Sequence, residues 1–286
     1  MPHPSTSSAY GIWSLNEVRD AVRGENWPVV PPLTLDLANA TYDNVSFSIA
    51  AQETNPLGLC FNNDGSKMYV VGQASDSVHQ YSLATAFDLS TASYDSVSLN
   101  VGSQDQAPDG IRFNNDGTKM YILGSSNDNF YQYVLSTPFD ISTASYDTFI
   151  LGINSPDGIA FNDDGSTLFS IGDSFDTIQP YNLATPFDFN GGRTLGTSFT
   201  LTNPASDFLF NPAGTKLYVL SGALDIVEQY TLSTPFDVTT ATDDLLSFDV
   251  GNEAPSPTAF NTNNDLSKMY VVDYNSDTIF QYSTGL

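Results

Sequence analysis

The sequence predicts an all-β fold, a five-bladed β-propeller with four-stranded blades. Three observations carry it: a five-fold internal repeat, turn signals that cut each repeat into four short strands, and one strand displaced from the end of the repeats to their start. The repeat appears when FNNDGSKMYVVG at Phe61 is aligned with FNNDGTKMYILG at Phe113, FNDDGSTLFSIG at Phe161, FNPAGTKLYVLS at Phe210 and FNTNNDLSKMYVVD at Phe260. The Met or Leu after the turn falls at Met68, Met120, Leu168, Leu217 and Met269, spaced by 52, 48, 49 and 52 residues. A Tyr follows 13 residues later in every copy, at Tyr81, Tyr133, Tyr181, Tyr230 and Tyr282. Gln precedes it in four copies and Pro180 in the other.

Each repeat is justified strand by strand. An apolar stretch ending in Phe (GLCF, GIRF) is the first strand, closed by an NDG-type turn whose Gly supplies a positive φ. KMYVV or KMYIL is the second, and VHQYSL or FYQYVL the third. YDSVSL or YDTFIL, alternating with period two, is the fourth. The ends do not match this count. LDLANATYDNVSF at Leu35–Phe47 aligns with FDLSTASYDSVSL at Phe87–Leu99, so a fourth strand stands before the first repeat. The sequence stops at QYSTGL, after a third strand. Ring closure explains both: Tyr42–Ile49 is expected to supply the outer strand of the last blade, removing its unpaired edge.

Residues 1–32 stand apart from the propeller of residues 33–286. Ser14 and Glu17 form a capping box, with Trp13 and Val18 as the hydrophobic staple and Gly24 at the C-terminal end. A helix is expected over residues 15–23, too short to persist alone in water. Its apolar face, Leu15, Val18 and Val22, together with Tyr10, Trp13 and Trp27, is the expected docking surface. It would seat on the chain's own propeller or on another subunit.

Composition narrows function. The chain has 8 Lys plus Arg against 33 Asp plus Glu, a net charge of -25, so nucleic-acid binding and anionic membrane surfaces are disfavoured. One Cys and two His exclude a disulfide and all but exclude a zinc site or a catalytic triad. No secretory leader and no membrane-spanning run is visible. The composition points to no cofactor and no metal.

NDGTKMYILG followed by NDNFYQYVLSTPFD resembles the YVTN-type repeat, related in shape to WD-repeat blades. The resemblance covers residues 35–286 and implies a propeller like those of phage and bacterial proteins. YGIWSLNEVRDAVRGENWP is similar to a short element of tail-fibre and other virion proteins of tailed phages. Together these imply a non-enzymatic virion component, made in a host cytoplasm. It would be attached to other virion proteins through residues 10–28, oligomeric on the particle, and in contact with a host-surface glycan or receptor.

Candidate chemistry is sparse. Asp64, Asp116 and Asp164 in the NDG turns lack a calcium-loop spacing and read as turn formers. Asp76, Asp128, Asp176, Asp225 and Asp277 recur in all five copies and read as a blade-building column. Asp109, Asp157 and Asp207 precede innermost strands and are expected near one mouth of the central channel, with Leu57 and Ser256 in the matching positions. They are the best candidates for a ligand or cation site. The competing reading is a propeller enzyme of the lactonase or glycoside-hydrolase type using this acidic mouth. Arg112 is expected to neutralise Asp109 or Asp157. Lys67, Lys119, Lys216 and Lys268 read as solvated strand starts. His79 aligns with Tyr131, Ile178 or Glu228 and reads as a packing variant. Phe175 and Tyr274 are candidate exposed aromatics.

Overall fold

A computed structural model of the chain describes residues 33–151, 156–172 and 176–285. The expected helix 15–23, the docking residues Tyr10, Trp13, Leu15, Val18, Val22 and Trp27, and Phe175 lie outside the described residues.

Five antiparallel sheets of inner, second, third and outer strands form the blades. Blade one is Pro56–Phe61, Lys67–Gly72, Ser77–Leu83 and Ala92–Asn100. Blade two is Pro108–Phe113, Lys119–Gly124, Asn129–Leu135 and Ala144–Leu151. Blade three is Pro156–Phe161, Thr167–Gly172, Thr177–Thr185 and an outer strand split into Asp188–Leu195 and Phe199–Thr200. Blade four is Asp207–Phe210, Lys216–Ser221, Ile226–Leu232 and Ala241–Asp249. Blade five takes Pro257–Thr262, Lys268–Asp273 and Thr278–Ser283 from the end of the chain, and its outer strand Thr41–Ser48 from the start. The ring is therefore closed as the displaced strand required.

The repeated residues have distinct structural tasks. Gly65, Gly117, Gly165 and Gly214 have φ between 65° and 72°, and each lies against the ring of Phe87, Phe139, Phe187 or Phe236, where a Cβ would collide. The closing blade replaces this pair with two leucines: Leu266 stands at the turn and Leu35 at the Phe position, in one buried cluster. The Asp column holds φ between 45° and 57°. The carbonyls of Asp76, Asp176, Asp225 and Asp277 accept the amides of Val101, Leu201, Val250 and Ile49 at 2.7–2.9 Å. These residues turn the chain and catch the segment leaving each outer strand, as a blade-building role requires.

The NDG acids also act as turn formers. Asp64, Asp116 and Asp164 accept the amides of Ser66, Thr118 and Ser166 at 2.8–2.9 Å. Hydrogen bonds from those Ser and Thr residues hold the carboxyls below the usual range.

Side chains of the second and third strands bond each blade to the next. Tyr69, Tyr121 and Tyr270 donate their hydroxyls to the carbonyls of Phe139, Phe187 and Phe87 at 2.5–2.7 Å. Leu35 donates its amide to the Tyr218 hydroxyl at 2.7 Å. Gln132 and Gln281 accept the amides of Phe189 and Leu89 at 2.9 and 3.0 Å, and Gln80 that of Ile141 at 3.4 Å. The lysines, expected in solvent, are engaged as well. Lys67 and Lys119 donate to Phe139 and Phe187 carbonyls, and Lys216 and Lys268 pair with Asp244 and Asp43.

Blade three departs at all three positions, with Thr167, Phe169 and Pro180. Phe169 still stacks on Phe210 of blade four, with ring centroids 4.8 Å apart. It has no hydroxyl to donate, and Pro180 has no amide side chain. The junction of blades three and four is therefore held by packing where its neighbours add hydrogen bonds.

Candidate functional site

The inner strands meet at the axis, and two side chains fill it. Asp207 pairs with Leu220 in the register where the other blades place Gly58, Gly110, Gly158 and Ala259. Only blade four carries a long side chain at that depth. Its Oδ1 lies 3.3 Å from the Arg112 guanidinium and accepts the Phe208 amide at 2.8 Å, while Oδ2 accepts the Phe260 amide at 3.0 Å. Arg112 also donates to the carbonyls of Leu59 and Ile111 at 3.1 and 2.8 Å, and Asn261 reaches the Leu59 carbonyl at 3.2 Å. Blades one, two, four and five are thus tied across the axis. Burial pushes the Asp207 carboxyl above the ordinary range, and the Arg112 charge and the two amides offset only part of that.

This corrects the expected pairing. Arg112 neutralises Asp207, not Asp109 or Asp157. Asp207 aligns one residue deeper than the other two acids because the inner strand of blade four lacks the bulge present before Gly110 and Gly158. Asp109 is buried and accepts from the Gln73 side chain at 2.7 Å. Asp157 occupies the same position one blade on, half-buried. The equivalent in blade five is Thr258 rather than Ser256. The turn of repeat five, Asn263–Lys268, matches Asn62–Lys67 residue for residue, so Thr262, not Phe260, stands at the Phe61 position and pairs with Met269 as Phe61 pairs with Met68. Among the described residues no group of three or more His, Cys, Asp or Glu side chains is placed to hold a metal ion. Cys60 is buried, and burial pushes its thiol up to about 12.

His79 pairs with Val70, and the same register selects Tyr131, Gln179, Glu228 and Phe280. The blade-three equivalent is Gln179, one residue from the expected Ile178. The His79 ring is buried and lies 2.9 Å from the Ser75 hydroxyl, which donates to Glu53 at 2.6 Å. Burial holds the imidazole below its usual pKa.

Three buried acids escaped the sequence reading. Glu53 accepts the amides of Asn55, Ala74 and Ser75, Asp105 those of Ala107, Ser126 and Asn127, and Asp273 those of Ser256 and Ser276. They staple the loops of the Asp109 face. Glu53 and Asp105 lie against Gly72 and Gly124, and blade five places its acid at that glycine's own position. No single column shows them.

The opposite mouth opens as a cleft of about 260 Å³ between blades two, three and four. Phe113, Phe161, Phe187, Phe210 and Phe236 line it, with Arg112, Asp163, Asn211 and Pro212. A chain of side-chain bonds runs along this rim from Asn264 to the Asn63 carbonyl, from Asn63 to Asn115, and from Asn115 to Asp163. It stops there because neither the Asp163 carboxylate nor Pro212 can donate the next bond.

A second surface lies on the outer strand of blade two. Tyr146, Phe149 and Leu151 are exposed there, and blade one carries Ser98 and Asn100 where blade two carries Phe149 and Leu151. Tyr274 is also exposed.

No protein-family model matches the chain, and no curated protein matches it. Solved structures with a similar course include a functionally unknown protein from Desulfotomaculum acetoxidans, 14% identical, covering 76% of this chain and 62% of that one, with a TM-score of 0.49. A candidate 6-phosphogluconolactonase from Bacteroides uniformis is 14% identical over 71% of this chain and 58% of its own, with a TM-score of 0.48. A protein from Lactobacillus plantarum is 17% identical over 80% and 67%, with a TM-score of 0.49. The chain spans about six-tenths of the length of the first two. By its own geometry the chain is a five-bladed β-propeller.

Proposed function

We propose that the chain is a non-enzymatic display propeller of a tailed-phage virion, attached to other virion proteins through residues 10–28 and presenting its ring to a host-surface glycan or receptor. The observation that carries this reading is the closure of the ring from Thr41 onward. With the last blade completed by Thr41–Ser48, the five described blades are each complete, while both tryptophans of the chain fall within residues 1–32. A segment that carries both tryptophans and is not needed to close the ring suits attachment to a partner. The burial of Asp207 and its pairing with Arg112 at the axis support a binding role over a catalytic one, because that carboxylate is already engaged. The apolar outer strand of blade two supports surface contact.

Light scattering tests the attachment. The expected result is an oligomer or a partner-dependent aggregate for the full chain and a folded monomer for a chain beginning at Pro31. Two identical monomers would contradict it. Hydrolysis of a sugar lactone that is abolished by Asp109→Asn would replace it with the enzymatic reading at the Asp109 and Asp157 mouth.

A further inference from the structure

The mouth between blades two, three and four is open because two things give way there together. The rim of side-chain bonds that runs from Asn264 through Asn63 and Asn115 ends at the Asp163 carbonyl. One layer deeper, the register that selects Cys60, Arg112, Leu209 and Asn261 places only Ala160 in blade three. The cleft of about 260 Å³ lies between these two gaps. Ligand pockets begin at roughly 300 Å³, so this one suits a single small ring.

Its walls and its polar groups differ in kind. Five half-buried phenylalanines line it. At its inner end stands Arg112, whose side chain is 15% exposed. The guanidinium makes three contacts, to the carbonyls of Leu59 and Ile111 and to Asp207. Among the described residues its Nε and the second hydrogen of Nη2 meet no acceptor. At the outer end stands Asp163, exposed, its carboxylate without a hydrogen bond among the described residues. The cleft therefore offers a charged donor, a charged acceptor and apolar rings between them. An apolar ligand would strand both charged groups. An anion would have to approach a chain of net charge -25 and share Arg112 with Asp207. A neutral sugar ring meets all three demands: its C–H face is apolar, and each hydroxyl both accepts and donates.

We propose that this cleft binds one neutral pyranose unit, its C–H face against the phenylalanine rings and its hydroxyls accepting from Arg112 and donating to Asp163. This rests on the glycan contact of the proposed function and narrows it to the mouth opposite Asp109 and Asp157.

Calorimetric titration of the full chain with the methyl glycosides of glucose, galactose, mannose and N-acetylglucosamine tests it. At least one should bind with a Kd on the order of 1 mM. Asp163→Asn removes the carboxylate and supplies an amide that can donate to the Pro212 carbonyl, carrying the rim across the mouth. It should weaken binding about ten-fold. Ala160→Leu introduces the side chain that blade four carries in the same register, fills the inner end, and should weaken binding at least as much. Phe149→Ser, on the outer strand of blade two, should leave binding unchanged; Ser98 holds that position in blade one. Far-ultraviolet circular dichroism confirms folding, and the exposed Asp163→Asn decides alone if Ala160→Leu does not fold. No binding of any of the four glycosides overturns the proposal, as does binding that either folded cleft variant leaves intact or that Phe149→Ser abolishes. The light-scattering test of attachment is independent of these results, so the virion reading stands or falls separately.

Discussion

Blade five and the junction of blades three and four make opposite use of the chain. Blade five is built from two distant ends of the sequence with no covalent link between its outer and third strands. The junction of blades three and four is crossed by continuous chain. The discontinuous blade is the more heavily bonded. Asp43 of the closing strand takes Lys268 at 2.5 Å, Ser283 at 2.5 Å and Gln281 at 2.8 Å, while Tyr270 and Gln281 bond blade five to blade one. At blades three and four the corresponding residues are Thr167, Phe169 and Pro180. The lack is peculiar to blade three. The junctions of blades one and two and of blades two and three, also crossed by continuous chain, carry these bonds, and Asp244 of blade four repeats the Asp43 set with Lys216, Gln229 and Thr231.

The largest effect should come from the axis, where Arg112 ties blade two to blade four past the bare junction. Arg112→Leu leaves Asp207 buried without its counter-charge and should cost about 3 kcal/mol at neutral pH. Urea unfolding measures it. Asp207 holds its proton more tightly in the folded state, so its own contribution weakens as pH rises from the ordinary carboxylate value through its raised folded value. The loss in Arg112→Leu should accordingly shrink in acid, where Asp207 is neutral.

Next comes the closing strand. Asp43→Ala removes three bonds at once and should cost about 2 kcal/mol. Burial works against the Asp43 charge, but hydrogen bonds from Lys268, Ser283 and Gln281 outweigh it and hold the carboxyl below its usual value. The stability Asp43 supplies is present above the ordinary carboxylate pKa and is lost as pH falls through the lowered folded value. Urea midpoints below pH 4 should fall less steeply in Asp43→Asn than in the parent.

The smallest effects sharpen the comparison directly. Tyr270→Phe should cost about 1 kcal/mol by deleting one bond between blades five and one. Phe169→Tyr should stabilise by up to about 1 kcal/mol, because its hydroxyl would reach blade four as Tyr69 and Tyr121 reach their neighbours. Thermal midpoints moving in the same direction for both would break the account of the bare junction.

Much of this ring was legible in the sequence. The five repeats, the displaced strand and the Asp column depend on local residues that recur, and the closing strand observed over Thr41–Ser48 differs from the expected span by one residue at each end. What recurs cannot reveal what differs. The Arg112 partner depends on a missing bulge in blade four. The shift from Ser256 to Thr258 arises because the inner strand of repeat five ends in Thr262 where the other repeats have Phe, so an alignment on Phe260 displaces that strand by two residues. The apolar face of blade two follows from a shorter bulge, which aligns Phe149 with Ser98. Of the buried acids, Glu53 and Asp105 share one column of the repeat while Asp273 comes from another, and the cleft exists only once three blades are placed side by side.

Hydrogen exchange on the full chain and on a chain beginning at Pro31 tests the central claim most directly. The account predicts that the amides of Thr41–Ser48 bonded to Thr278–Ser283 exchange as slowly as those of the other outer strands in both proteins. It also predicts that the junction of blades three and four opens first. Early exchange of Thr41–Ser48, or its loss of protection when the first thirty residues are removed, would contradict it.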